Sequence, residues 1–186
     1  MRAFFCIPID ETLRRDIAGV AESLREQTMT RAAWVSPRNY HITLRFLGEI
    51  DPMATVELER IARGVAKGRE PFTFTIERIG AFPAVERPRV IWAGGPAPAE
   101  FVELSSSLNG SLERLGFPRQ RGEEVVHITI ARVKGRVDLG LMEGIRSTGI
   151  SPKRFIAERI VLMESRLTPR GAVYSPLFTV ELKKGG

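Results

Sequence analysis

The 186-residue chain holds one cysteine, Cys6, and two histidines, His41 and His127. A lone cysteine excludes an internal disulfide and fits a reducing cytoplasm, where the protein is expected. Paired CxxC and HExxH spacings are both missing, so neither a structural zinc site nor a zinc-hydrolase helix is expected. No apolar run approaches the roughly 20 residues of a bilayer span. The apolar stretch in the opening MRAFFCIPID is short and Asp10 follows at once, which argues against a cleaved signal peptide. What is present is ordinary for a globular protein: 43% hydrophobic and 27% charged positions. Disordered, collagen-like and rod-like chains are thereby excluded, and the length suits one domain, with room for two small lobes.

Lysine is scarce as well, with 5 against 23 arginines, and the net charge is +6. Arginine's planar fork suits bidentate contacts with phosphate, although codon bias or thermal adaptation also enriches it. The charge permits an anionic partner without naming one.

Periodicity gives a mixed order of elements. Met1 to Pro8 reads as a buried strand, followed by a helix capped by Asp10 with Leu13, Ile17, Val20 and Leu24 on one face. Arg31 to Arg38 reads as a loop, and Tyr40 to Leu47 as a strand ended by Gly48. Asp51-Pro52 opens a second helix ending near Gly68, and Phe72, Phe74 and Ile76 mark a half-buried strand. A proline-rich loop from Phe82 to Pro88 leads into a strand from Arg89 to Ala93, and Gly94 to Pro98 reads as an interlobe break.

A third helix runs from Phe101 to Leu115, closed by Gly116. Arg119 to Glu124 reads as a charged loop, Val125 to Val133 as a strand, and Leu139 to Ile145 as a short helix. Two strands, Phe155 to Leu167 and Ala172 to Leu182, follow, joined across a turn at 168–171, and the KKGG tail reads as a disordered end. About seven strands and three or four helices, without regular βαβα alternation, predict an α+β fold with antiparallel pairing.

The sharpest feature is a repeat. HITL at 41–44 and HITI at 127–130 share one pattern and consume both histidines. On a strand, His41 and Thr43 share one face while Ile42 and Leu44 share the other; His127 and Thr129 do likewise, backed by Ile128 and Ile130. Two such strands facing across a groove present two imidazoles and two hydroxyls. That set suits metal-free phosphodiester chemistry, with one imidazole as base and its partner as acid. The hydroxyls can donate to phosphoryl oxygens. Glu123 and Glu124 lie near His127 in sequence, but no usual metal spacing accompanies them.

FFCIPID at 4–10, WVSPRNYHITLRFLGEI at 34–50, IGAFPAVERPRVIWAG at 79–94, HITIARV at 127–133 and LMESRLTPRGAVY at 162–174 extend the pattern over nearly the whole chain. In these pieces the sequence resembles the 2H phosphoesterases, specifically the LigT-like RNA 2′,3′-cyclic phosphodiesterases. The resemblance implies one bilobal domain, residues 1–186, with a histidine motif in each lobe and pseudo-twofold symmetry about a basic cleft. It implies hydrolysis of RNA-terminal 2′,3′-cyclic phosphates to 2′-phosphates; the protein is expected to be a monomer that uses no cofactor, membrane or metal. His41 and His127 would be the acid/base pair, and Thr43 and Thr129 the phosphate holders.

Arg132 matches an arginine that follows the second motif in that family. Five residues after His127, a regular strand points it to the wrong face, and a bulge is needed to re-aim it. Arg45 has the parity of His41 and Thr43 and is expected at the cleft. Phe46 and Trp34 are candidates to stack on a base, although parity assigns Phe46 to the core; Tyr40 is a candidate to line the groove. Two rival functions remain: 2′-5′ joining of tRNA halves by the reverse chemistry, and a noncatalytic RNA- or nucleotide-binding module.

Overall fold

A computed structural model describes residues 1–118, 125–169 and 171–183. The expected charged loop at 119–124, one residue of the 168–171 turn and the tail from 184 lie outside the described residues.

The elements run β1 (Arg2–Pro8), α1 (Glu11–Glu26), β2 (Ala32–Trp34), β3 (His41–Glu49), α2 (Thr55–Ala66), β4 (Phe72–Ile76), β5 (Arg78–Phe82) and β6 (Val90–Pro96). They continue with α3 (Ala99–Glu113), β7 (Val125–Val133), α4 (Leu139–Ser147), β8 (Lys153–Ala157), β9 (Arg159–Thr168) and β10 (Gly171–Glu181). Short 3₁₀ turns at Pro37–Asn39 and Pro52–Ala54 precede β3 and α2. The fold is α+β, with two four-stranded sheets ordered β10-β9-β1-β3 and β2-β7-β6-β5, and a third pair, β4-β8. Every strand pairing within these sheets is antiparallel.

A twofold logic runs through the order. β1-α1-β3-α2-β4-β5 is followed by β6-α3-β7-α4-β8-β9, the same succession, with β2 and β10 added. The last strand of each half pairs with the first strand of the other: β5 with β6, and β9 with β1. Each half therefore completes the sheet that carries the other's opening strand, which produces two lobes from one interlocked chain.

Local chemistry explains the elements that position the site. The Asp10 carboxylate accepts from the Leu13 backbone N–H and caps α1, whose Leu13, Ile17, Ala21 and Leu24 are buried. Such a cap stabilises by about 1 kcal/mol. Ile42 and Leu44 of β3, and Val126, Ile128 and Ile130 of β7, enter one continuous apolar core with Phe5, Ile7, Phe74 and Leu104. The aliphatic positions of both HIT motifs thus anchor their strands from behind.

The structure departs from the sequence expectations at glycines and short edges. The 31–38 segment contains the three-residue strand β2, which pairs with Ala131–Val133 of β7. Gly48 does not end its strand; it lies inside β3 at φ 73°, opposite Ala3, beside a register shift. β5 was not anticipated, and the supposed break at Gly94 and Gly95 is continuous strand. A Cβ on Gly94 would stand 2.2 Å from the Val126 carbonyl, and one on Gly95 2.1 Å from the Thr75 carbonyl. These glycines are there because backbones approach closely. The expected strand from Phe155 to Leu167 divides at Glu158 into β8 and β9, which belong to different sheets.

Candidate active site

The histidine strands occupy β3 at the end of one sheet and β7 inside the other, and these two strands approach each other. His41, Thr43, His127 and Thr129 are each half-buried, between buried aliphatic neighbours. Strand parity places them as the motif predicts.

His41 is fixed from three sides. Its Nδ1 lies 2.7 Å from the Asn39 carbonyl, to which it donates, and its Nε2 lies 3.1 Å from Thr43 Oγ1. In the neutral ring this leaves the Nε2 lone pair for the hydroxyl proton of Thr43. Asn39 is itself tied down, its Nδ2 donating to the Ala172 carbonyl of β10 at 2.8 Å. The imidazole packs on Phe4, with centroids 4.8 Å apart, and meets Tyr174 edge-on at 5.4 Å. Burial lowers the His41 pKa to about 4; the charges of His127 and Arg132 push the same way, and the Asn39 carbonyl opposes them.

On the other strand, His127 pairs with Gly94 of β6 and meets the Phe82 ring edge-on at 5.1 Å. Trp92, opposite Thr129, lies 5.2 Å from Phe82 and has the Arg78 guanidinium 5.6 Å from its ring. Gly80 makes room for that indole, since a Cβ there would stand 2.4 Å from the Trp92 ring.

Both motif strands carry the same irregularity. In β3 the register with β1 moves from Cys6↔Thr43 to Phe5↔Arg45, leaving Leu44 as an extra residue. In β7 the register with β6 moves from Trp92↔Thr129 to Ile91↔Ala131, leaving Ile130 extra. Each bulge reverses side-chain parity beyond the threonine. Arg132 consequently returns to the His127 face; it is exposed, and its charge acts on His41 and on Tyr174.

The same reversal corrects the expectation for Arg45. It is 3% exposed, and its guanidinium donates to the Pro118 carbonyl and faces Glu113 rather than the cleft. Phe46 is corrected in the opposite sense: assigned to the core by parity, it is 54% exposed, 6.0 Å from Phe4. Trp34 is half-buried against the apolar core. Tyr40 is fully inside it, where burial raises its pKa to about 12. Tyr40 therefore does not line the cleft.

Sequence reasoning assigned no role to Phe4, Asn39, Phe82 or Tyr174. Asn39 stands two residues before His41, and Tyr174 and Phe82 lie in the quoted family segments, so the signal was proximity alone. Among the described residues, no three His, Cys, Asp or Glu side chains cluster closely enough to hold a metal ion.

Paired His-x-Thr strands from two interlocked sheets, meeting beside an arginine, define a two-histidine phosphoesterase. The LigT-like phosphoesterase family model matches residues 7–92. An RNA 2′,3′-cyclic phosphodiesterase of Methanothermobacter thermautotrophicus is 31% identical over 181 residues, covering 95% of this chain and 96% of that one. Its namesake in Thermotoga maritima is 33% identical over 188 residues, covering 100% of this chain and 97% of the relative. Among solved structures, TT0787 of Thermus thermophilus superimposes with a TM-score of 0.86 at 25% identity, over 99% of both chains. Escherichia coli LigT complexed with 3′-AMP shares the fold, with a TM-score of 0.78 at 23% identity over 98% of each chain. The chain belongs to the LigT-like phosphoesterases.

Proposed function

We propose that the protein hydrolyses RNA-terminal 2′,3′-cyclic phosphates to 2′-phosphates without a metal, as a single bilobal domain with one histidine motif per lobe. The observation that carries this reading is the approach of β3 and β7, each bearing a half-buried His-x-Thr motif. The relatives named RNA 2′,3′-cyclic phosphodiesterase support the substrate class.

One imidazole takes a proton from water as the water oxygen bonds to phosphorus. The bond from phosphorus to O3′ breaks, and the other imidazole gives O3′ its proton. Each positioned acid or base contributes about 10²–10⁴-fold in rate. On substrate binding the Thr43 hydroxyl turns from His41 Nε2 to a non-bridging oxygen, Thr129 donates likewise, and Arg132 holds the charge that grows on these oxygens. Phe46, exposed beside Phe4 on the His41 side, offers a flat face to the terminal base. The enzyme works as a monomer in the cytoplasm, where buried Cys6 stays reduced.

The test is turnover of a 2′,3′-cyclic mononucleotide by the purified protein in EDTA, with the product's phosphate position read by NMR. Turnover that survives chelation and yields a 2′-phosphate is expected. A 3′-phosphate product, or activity that vanishes with EDTA and returns with a divalent ion, would sink the reading.

A further inference from the structure

A cavity of about 690 Å³ lies between α2 and α3, and none of its lining residues belongs to the histidine site. The helices present stripes to it: Arg60, Gly64 and Lys67 from α2 and the residue after it, Ser107, Ser111 and Arg114 from α3 and its cap. The groove exists because the facing positions are small. A Cβ on Gly64 would meet nothing within 4 Å, and the two serines reach only a short way across.

Its walls carry Arg60, Lys67, Arg69 and Arg114; Arg60 is paired with Glu57 and Arg69 with Glu103, which leaves Lys67 and Arg114, among the described residues, as the cations without a carboxylate. Arg69 is pinned, donating to the Val65 carbonyl at 2.9 Å and to Ser107 Oγ at 2.8 Å. Lys67 and Arg114 are exposed, and among the described residues neither has an acidic partner. Arg69 and Arg114, each donating to a serine hydroxyl, and exposed Lys67 space their charges along the groove, which suits a run of phosphates better than one compact anion.

The groove lies behind the strand that carries His41, where α3 packs on β3. Arg45, on the strand that carries His41, donates to the Pro118 carbonyl and faces Glu113. That contact ties the Arg114 end of α3 to the back of β3.

We propose that the groove between α2 and α3 binds the phosphate backbone of single-stranded RNA whose cyclic end occupies the cleft. This rests on the activity proposed above. The cleft then selects the terminal nucleotide, while the groove adds affinity for the body of a longer strand, without regard to sequence.

Two variants test it: the charge reversal Lys67→Glu with Arg114→Glu, and Gly64→Glu, which places a carboxylate in open space on the groove floor. Each is compared with wild type on a 2′,3′-cyclic mononucleotide and on a roughly twenty-nucleotide single strand with a cyclic end. Both variants should keep wild-type kcat and KM on the mononucleotide. On the long strand KM should rise about tenfold, and the salt dependence of binding should flatten by roughly 0.7 per lost phosphate contact. Equal KM values on the long strand overturn the proposal, and so does a matching loss on the mononucleotide.

Binding of the same strand with an unreactive 3′-hydroxyl, read by fluorescence anisotropy, keeps the two readings separable. If wild type fails to turn over the mononucleotide, the proposed activity falls. The groove is then judged by anisotropy alone: weaker binding by both variants supports it, and equal binding removes it.

Discussion

Phe46 and Arg132 hold equivalent positions, each five residues beyond its histidine and each turned back to the histidine's face of the strand by a bulge that begins at the motif threonine. A five-residue step on a regular strand points away from the starting face; one extra residue restores it. The two lobes thus spend the same backbone device on different chemistry, an exposed ring in one and a guanidinium in the other. The cleft is symmetric in its histidines and asymmetric in what surrounds them. His41 has the aromatic wall of Phe4 and Tyr174, and the neighbouring cation reaches it from the opposite strand.

That asymmetry separates the effects of two substitutions on cyclic mononucleotide turnover. Arg132→Gln removes a charge-assisted contact with the phosphate, a loss of about 1.5–3 kcal/mol, so kcat/KM should fall on the order of 10- to 100-fold. Phe46→Ala removes only a stacking face, worth about 1–3 kcal/mol per base, so KM should rise with kcat largely kept. Steady-state kinetics on both variants decide; a kcat loss confined to Phe46→Ala would show that the roles are misassigned.

The pH dependence follows from His41. Its folded pKa, lowered to about 4 chiefly by burial, lies below the ordinary value of 6.5. Between those values the unfolded chain binds the proton more readily. Stability from this group is therefore complete above the unfolded pKa and declines as pH falls toward the folded one. Urea unfolding at about pH 7 and about pH 5 should show wild type losing more stability than His41→Gln over that interval. Inorganic phosphate in the cleft opposes the charges of His127 and Arg132, so an NMR titration should find the His41 pKa higher with phosphate than without. An unchanged value would place the anion elsewhere.

The motifs were legible because the period of two is local: His-x-Thr backed by aliphatics reads the same in sequence and in β3 or β7. The bulges were not, since Leu44 and Ile130 look like ordinary strand residues. What makes each of them extra is the partner strand, β1 or β6. Arg45 and Phe46 exchanged roles for that reason. Gly94 and Gly95 misled similarly: taken as a break, they are strand positions stripped of side chains by the close approach of Val126 and Thr75. Long-range pairing also hid β5 and the division between β8 and β9, whose sheets are chosen by strands distant in sequence.

Asn39 should act on the reaction through His41. Its side chain grips the Ala172 carbonyl while its own carbonyl receives the His41 Nδ1 proton. Asn39→Ala removes the first of these bonds, at a cost of about 1 kcal/mol in stability, and lets the turn before β3 drift. Turnover should fall in kcat with KM little changed, and the pH profile should shift because the carbonyl that favours charged His41 is no longer fixed. A variant that loses stability but keeps the wild-type pH profile would reduce Asn39 to a structural tie.

Gly94 offers a test on the other strand. It pairs with His127, and the position of a Cβ on it is already filled by the Val126 carbonyl at 2.2 Å. Gly94→Ala must therefore push β6 and β7 apart at the histidine. Overpacking of this kind costs about 1–3 kcal/mol, and the displaced imidazole should lose catalysis beyond what the stability loss explains. Gly19, inside α1 with nothing within 4 Å of its Cβ position, is the control. Gly19→Ala should stabilise by about 0.4–1 kcal/mol through the unfolded chain and leave turnover untouched. Thermal unfolding and kcat measured on both variants should move in opposite directions for stability and only at Gly94 for activity. If Gly94→Ala keeps full kcat, the spacing of β6 and β7 is not what positions His127.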